Sequence, residues 1–138
     1  MNILAETETH IFWEEEGIIC FKYKVEVVDL NVAKNGVETR AKLTHNENRL
    51  VYADCSIAKK ATSEARIYYA SVLTGQTTIA LAILAPNMIT KVIASFFLNF
   101  NKPKMPCKFF STKQKALEWL HAINDQLSVN NDQSVNDQ

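Results

Sequence analysis

Few side chains in this sequence have the type and spacing to do chemistry. His10, His45 and His121 fall in unrelated segments, without the spacing that holds a metal ion. Cys20, Cys55 and Cys107 are equally dispersed and odd in number, which predicts reduced thiols rather than a disulfide framework. The chain contains no G-x-G-x-x-G, phosphate loop, G-x-S-x-G or HExxH pattern. Neither a cofactor, a metal nor a catalytic centre is therefore expected. Three features remain. Thr62 and Ser63 are hydroxyls at the start of a predicted helix, where either is a natural N-cap. Asp54 closes a predicted strand, a position where α/β folds gather functional groups, although a lone aspartate there commonly caps a turn. Lys102, Lys104, Lys108, Lys113 and Lys115 lie in a stretch free of acids.

With Asn99, Phe100 and Asn101, those lysines would make an edge that binds an anion or a partner. The plainer role is a solvated loop that keeps an edge strand from aggregating. Glu6, Glu8, Glu14, Glu15 and Glu16 form an opposing acidic cluster. Such asymmetry would steer a partner or join two copies head to tail.

The elements that must position these groups are set by length and pattern. A chain of 138 residues is one domain, and 47% hydrophobic content supplies an ordinary core. Fifteen acids balance 15 bases, which argues against a dedicated nucleic-acid binder. The start of the chain lacks a basic, apolar leader, and no apolar run is long enough to span a bilayer, so a cytoplasmic protein is expected.

The most telling stretch is Thr77–Ala85, whose unbroken apolar run predicts a strand covered on both faces. Before it, His10–Glu14 and Gly17–Tyr23 read as a hairpin turning near Gly17. Asp29 caps a helix with Leu30, Ala33, Val37 and Ala41 on one face, where Gly36 would mark close packing on the sheet. Arg49–Ser56 is the next strand, and a helix follows from Thr62–Ser63 to a glycine stop at Gly75. Its inner stripe is Ala65, Tyr68, Tyr69 and Val72, and these tyrosines, with Trp13 and Trp119, are expected in or beside the core.

Pro86 suits the first turn of a third helix, with Ile89, Val92, Ile93 and Phe96 at helical spacing. Cys107–Phe110 is a short edge strand. Ser111 and Gln114 form a capping box for the last helix, whose face is Ala116, Leu120, Ile123 and Leu127. The order is ββαβαβαβα: a mixed, mostly parallel five-stranded sheet with an N-terminal hairpin and four helices. Residues 1–9 read as an N-terminal extension, 10–127 as the domain, and 128–138 as a polar, disordered tail.

This order resembles the STAS domain, and especially its SpoIIAA-like relatives, the fold of bacterial anti-sigma-factor antagonists. The resemblance is carried by Trp13-Glu-Glu-Glu-Gly-Ile-Ile, Arg49-Leu-Val-Tyr-Ala-Asp, Ser63-Glu-Ala-Arg-Ile-Tyr-Tyr, Asn101-Lys-Pro with Phe109, and Ala116-Leu-Glu-Trp-Leu. It implies a non-catalytic regulatory module that docks to a protein partner. It also implies a phosphorylatable hydroxyl at the start of the second helix, which matches Ser63 beside Thr62. The Asp and Gly of the family's Asp-Ser-x-Gly motif are absent here, and Glu64 would repel a phosphate. The expected partner surface is Thr62, Ser63 and Arg66 with Asp54, Asn99, Asn101, Lys102 and Lys104. The alternative is a small hydrophobic-ligand or lipid binder, resembling the SEC14 group, with Phe96, Phe97 and Phe100 closing a pocket. Homodimerisation through an apolar helix face or the hairpin edge is a further expectation.

Overall fold

The computed structural model describes residues 2–73 and 77–136. Six strands form one mixed sheet in the order β1-β2-β3-β5-β7-β8. These are β1 (Ile3–Glu6), β2 (His10–Glu15), β3 (Ile18–Tyr23), β5 (Arg49–Asp54), β7 (Thr78–Leu84) and β8 (Cys107–Phe110). Two short strands, β4 (Val27–Val28) and β6 (Lys60–Ala61), pair with each other apart from it. The helices are α1 (Leu30–Thr44), α2 (Ser63–Leu73), α3 (Met88–Phe96) and α4 (Lys113–Asn136), and a π-helical turn, Phe97–Asn101, continues α3.

β1, β2 and β3 are antiparallel neighbours, whereas the β3–β5, β5–β7 and β7–β8 pairings are parallel. The sheet is thus mixed and mostly parallel, with the N-terminal hairpin on one side. The sheet has six strands rather than five, because Ile3–Glu6 within the N-terminal extension pairs with β2. That strand was hidden by its shortness and by its exposure at the edge of the sheet. The hairpin turns through Glu16 (φ 50°) and Gly17 (φ 81°), the two left-handed residues that a tight β2–β3 connection requires.

Strand alternation sorts the core into two sides. Trp13, Ile18, Cys20, Leu50, Tyr52, Ala80 and Ala82 face α4, where Ala116 and Leu120 complete the cluster. His10 and Phe12 from β2 point to the opposite side, together with Ile19, Val51, Ala53, Leu81 and Ile83, under α1, α2 and α3. β7 lies between β5 and β8 and is covered on both faces, as its apolar run predicted.

Local signals explain most helix starts. Asp29 caps α1 by accepting from the Val32 N–H at 2.9 Å. Gly36 in α1 does mark a close approach: a Cβ there would collide with the His10 Nε2 atom. Asn87, not Pro86, opens α3, with Thr90 forming a reciprocal capping box, so the proline precedes the cap instead of filling the first turn. Thr112 takes the capping place expected of Ser111, its Oγ1 accepting from the Lys115 N–H at 3.3 Å. α4 then continues beyond Leu127 to Asn136, since no Gly or Pro interrupts the polar residues that follow. The expected stop at Gly75 lies outside the described residues.

Candidate functional site

The α1–α3 side carries nearly every candidate residue. Thr62 is the N-cap of α2: its Oγ1 accepts from the Ala65 N–H at 3.2 Å and its carbonyl from the Arg66 N–H at 3.1 Å. Ser63 is the first helical residue and is exposed. Asp54 ends β5 and accepts from the Ser56 N–H at 2.9 Å, closing a turn. That turn touches the start of α3, because the Asn87 side-chain amide donates to the Ser56 carbonyl at 3.2 Å. One turn into α2, the Arg66 guanidinium lies 4.2 Å over the Phe96 ring, so cation–π attraction joins α2 to α3.

The third helix is where expectation and structure part. Its amphipathic spacing holds, but much of the apolar face is turned outward. Met88 (74%), Ile89 (52%), Val92 (59%) and Phe100 (71%) are exposed, while Thr90, Ala94 and Phe97 are the buried residues. Phe96 and Phe100 stack on each other with ring centres 4.3 Å apart. Met88, Val92, Phe96 and Phe100 recur at every fourth position, and a shallow groove with Lys91, Ser95 and Asn99 runs along them. Such a span of apolar residues exceeds what one buried stripe needs, and that excess is the signal in the sequence that marks an outward face.

The stretch of chain that carries this face has charge of one sign. No Asp or Glu occurs anywhere between Glu64 and Glu118, whereas Arg66, Lys91, Lys102 and Lys104 do. Lys102 and Lys104 are exposed just beyond the π turn, Lys102 in a left-handed conformation (φ 44°). The acidic hairpin offers less to a partner than its composition promised. Glu15 pairs with Lys113 at 2.7 Å, Glu14 with Arg49 at 3.4 Å, and Glu16 with His121 at 2.8 Å. Lys113 accordingly holds the Glu15 carboxyl below its usual range.

Behind the helices is an interior cavity of about 100 Å³ between the sheet and α1, α2 and α3. At roughly 30 Å³ of liquid volume per water, it exceeds a single water site. Its wall is overwhelmingly apolar (Phe21, Val37, Val51, Ile93 and Phe97 among others) but carries His10, Arg40 and Arg66. His10, which its spacing in the sequence did not single out, is fully buried. Burial pushes its imidazole down to about 4, so the ring is neutral at pH 7. Its tautomer follows from its neighbours. Thr9 donates its hydroxyl to Asn35 Oδ1 at 2.9 Å, so at 2.7 Å it can only accept from His10 Nδ1. The bare lone pair is then on Nε2, which meets no hydrogen-bond donor among the described residues.

Arg40, 5% exposed, is held by three neutral oxygens: the Thr77 carbonyl (2.9 Å) and the Thr77 and Thr78 hydroxyls (3.4 and 2.9 Å). Burial lowers its guanidinium from the usual range. Arg66 has a buried Nε without a hydrogen-bond partner, and among the described residues neither arginine pairs with a carboxylate. Tyr23 and Tyr69 satisfy each other, hydroxyl to hydroxyl at 2.6 Å, and burial raises both phenols.

A sheet with an N-terminal hairpin and parallel remainder, clothed by one helix on one side and three on the other, is a SpoIIAA-like α/β fold. The chain belongs to the DUF7793 family, a domain of unknown function, whose profile matches residues 12–124. No curated protein matches it. Among solved structures, an uncharacterised protein of the DUF3478 family with a SpoIIAA-like fold, from Shewanella loihica PV-4, aligns with a TM-score of 0.59. The alignment covers 84% of this chain and 98% of that one at 14% identity, a likeness of fold. Among the described residues, no helix is long and apolar enough to cross a membrane.

Proposed function

We propose that this chain is a non-catalytic interaction module that docks a protein partner through the outer face of α3 and the π turn. The observation that carries this reading is the exposed apolar row Met88, Val92, Phe96 and Phe100, set in a region whose only charges are positive. Apolar exposure on this scale marks interaction surfaces rather than ordinary surface. The complementary partner is an acidic amphipathic segment, its apolar side in the groove and its carboxylates toward Lys91, Lys102 and Lys104. A second copy fits less well, since two such faces would bring like charges together.

Ser63 supplies a means of control. It is exposed at the N-terminus of α2, three residues from Arg66 on the seam with α3. A phosphate there would add about two negative charges beside the docking face and repel an acidic partner.

A photo-crosslinking residue at position 100, introduced in the organism that makes the protein, tests the reading. The expected product is an adduct with an acidic amphipathic segment, lost when Lys91 and Lys102 are both changed to Glu. Adducts only with itself, or binding only to vesicles of anionic phospholipid, would overturn the protein-partner assignment. A second reading, a small-ligand binder, is favoured by the cavity lined by His10, Arg40 and Arg66.

A further inference from the structure

We propose that the cavity is a binding site for a small organic acid, with an anionic head held at Arg66 and an apolar body directed toward His10. The inference rests on the small-ligand reading and names its chemistry.

The wall first excludes most ligands. It is lined almost entirely by carbon, from the sheet residues Val51, Ala53, Leu81 and Ile83 and the helix residues Val37 and Ile93. A strongly hydrated, fully polar ligand would lose its water shell there without replacement. An apolar body is required.

The charged groups then choose the head. A buried guanidinium N–H without an acceptor is costly unless one joins it. Arg66 is in that position, with its buried Nε–H still to donate and its planar face already fixed against Phe96. Arg40 is equally without a carboxylate, but neutral oxygens from Thr77 and Thr78 occupy its donors, so it lends charge without offering a fork. A carboxylate is the group that accepts from a guanidinium in this way.

His10 sets the direction. Because Nδ1–H is committed to Thr9, Nε2 presents a lone pair, which would repel a carboxylate. The head therefore lies at the Arg66 end, and the His10 end takes the body. A hydroxyl or N–H on that body would complete the Nε2 hydrogen bond.

Isothermal titration of the full chain at pH 7 with butanoate and with butan-1-ol, short enough for a cavity of about 100 Å³, tests this, the two sharing a chain length and differing in the head. The expected result is butanoate binding at least tenfold more tightly than butanol, with methyl NMR shifts at Val37 and Ile93 rather than at Ile89 and Val92. Arg66→Met should bring the two affinities within about twofold, and Arg66→Lys, which keeps the charge and guards against loss of folding, should retain part of the preference. Equal binding of both probes in the cavity would overturn the acid assignment while leaving the small-ligand reading standing. Binding of neither, or shifts confined to the outer face of α3, would overturn both.

Discussion

The two faces of one sheet are built to different standards. On the α4 side, a single helix closes a cluster in which Trp13, Ile18, Cys20, Tyr52, Ala80, Ala82, Ala116 and Leu120 are all at most 5% exposed. Among the described residues the buried polar side-chain atoms there are accounted for; the Trp13 indole, for example, donates to Glu15 at 3.0 Å. On the α1–α3 side, three helices leave a cavity, an unpaired imidazole nitrogen, two arginines without carboxylates, and an apolar row facing out. Packing is complete on one face and incomplete on the other, which supports the proposal that the α1–α3 side is where the molecule acts. Proteins depart from full internal consistency mainly where they act.

The sharpest way to break this comparison is to damage the scaffold face. Leu120, fully buried in α4, should lose about 2–5 kcal/mol of stability on Leu120→Ala, read from the denaturation midpoint. A loss below about 1 kcal/mol would mean that the α4 face is as loosely filled as the other. Next in size is a pH effect that belongs to the cavity face alone. His10 titrates near 4 in the folded chain against 6.5 unfolded. Between those values the unfolded chain binds the additional proton, so stability falls as pH drops from about 6.5 to 4 and levels off below. The loss from this group is about 3 kcal/mol, since a tenfold difference in proton affinity is worth about 1.36 kcal/mol. The same titration of His10→Phe should lack that part of the slope.

Two small-to-large substitutions sharpen the contrast. Ala82→Val, against α4, should cost about 1–3 kcal/mol through overpacking, whereas Ala53→Val, beside the cavity, should cost less than half as much. Equal costs in thermal melts would deny the asymmetry. The smallest effect is expected at Phe100, 71% exposed, where Phe100→Ser should leave stability within about 0.5 kcal/mol. The same change should abolish capture of an acidic amphipathic partner, separating the docking role from any structural one.

Much of the scaffold was legible in the sequence because it depends on local pattern. The unbroken run of β7, the Gly17 turn and the Asp29 cap are each set by residues adjacent in the chain. β1 was missed because a four-residue, largely exposed edge strand carries little alternation. The candidate site was harder to read, since its defining contacts join distant segments. Gly36 signalled a close approach, yet nothing in the sequence said that the neighbour would be His10. Arg66 was placed on the working surface, but its stacking on Phe96 and its place in the cavity wall depend on how α2 and α3 meet. The α3 stripe was read only as amphipathic spacing, which shows that a helix has an apolar face but not whether the parent domain covers it.

The π turn at Phe97–Asn101 has an evolutionary consequence. A wide turn of this kind holds one residue more than an α-helical turn would, so a single deletion between positions 97 and 101 is absorbed by tightening the coil. Phe100 would then follow Phe96 by three residues of α-helix instead of four of the wider coil, and residues three apart still share a face. A chain one residue shorter here would therefore keep both the scaffold and the outer aromatic pair. The turn is thus a place where the gene can gain or lose one codon at little cost to either.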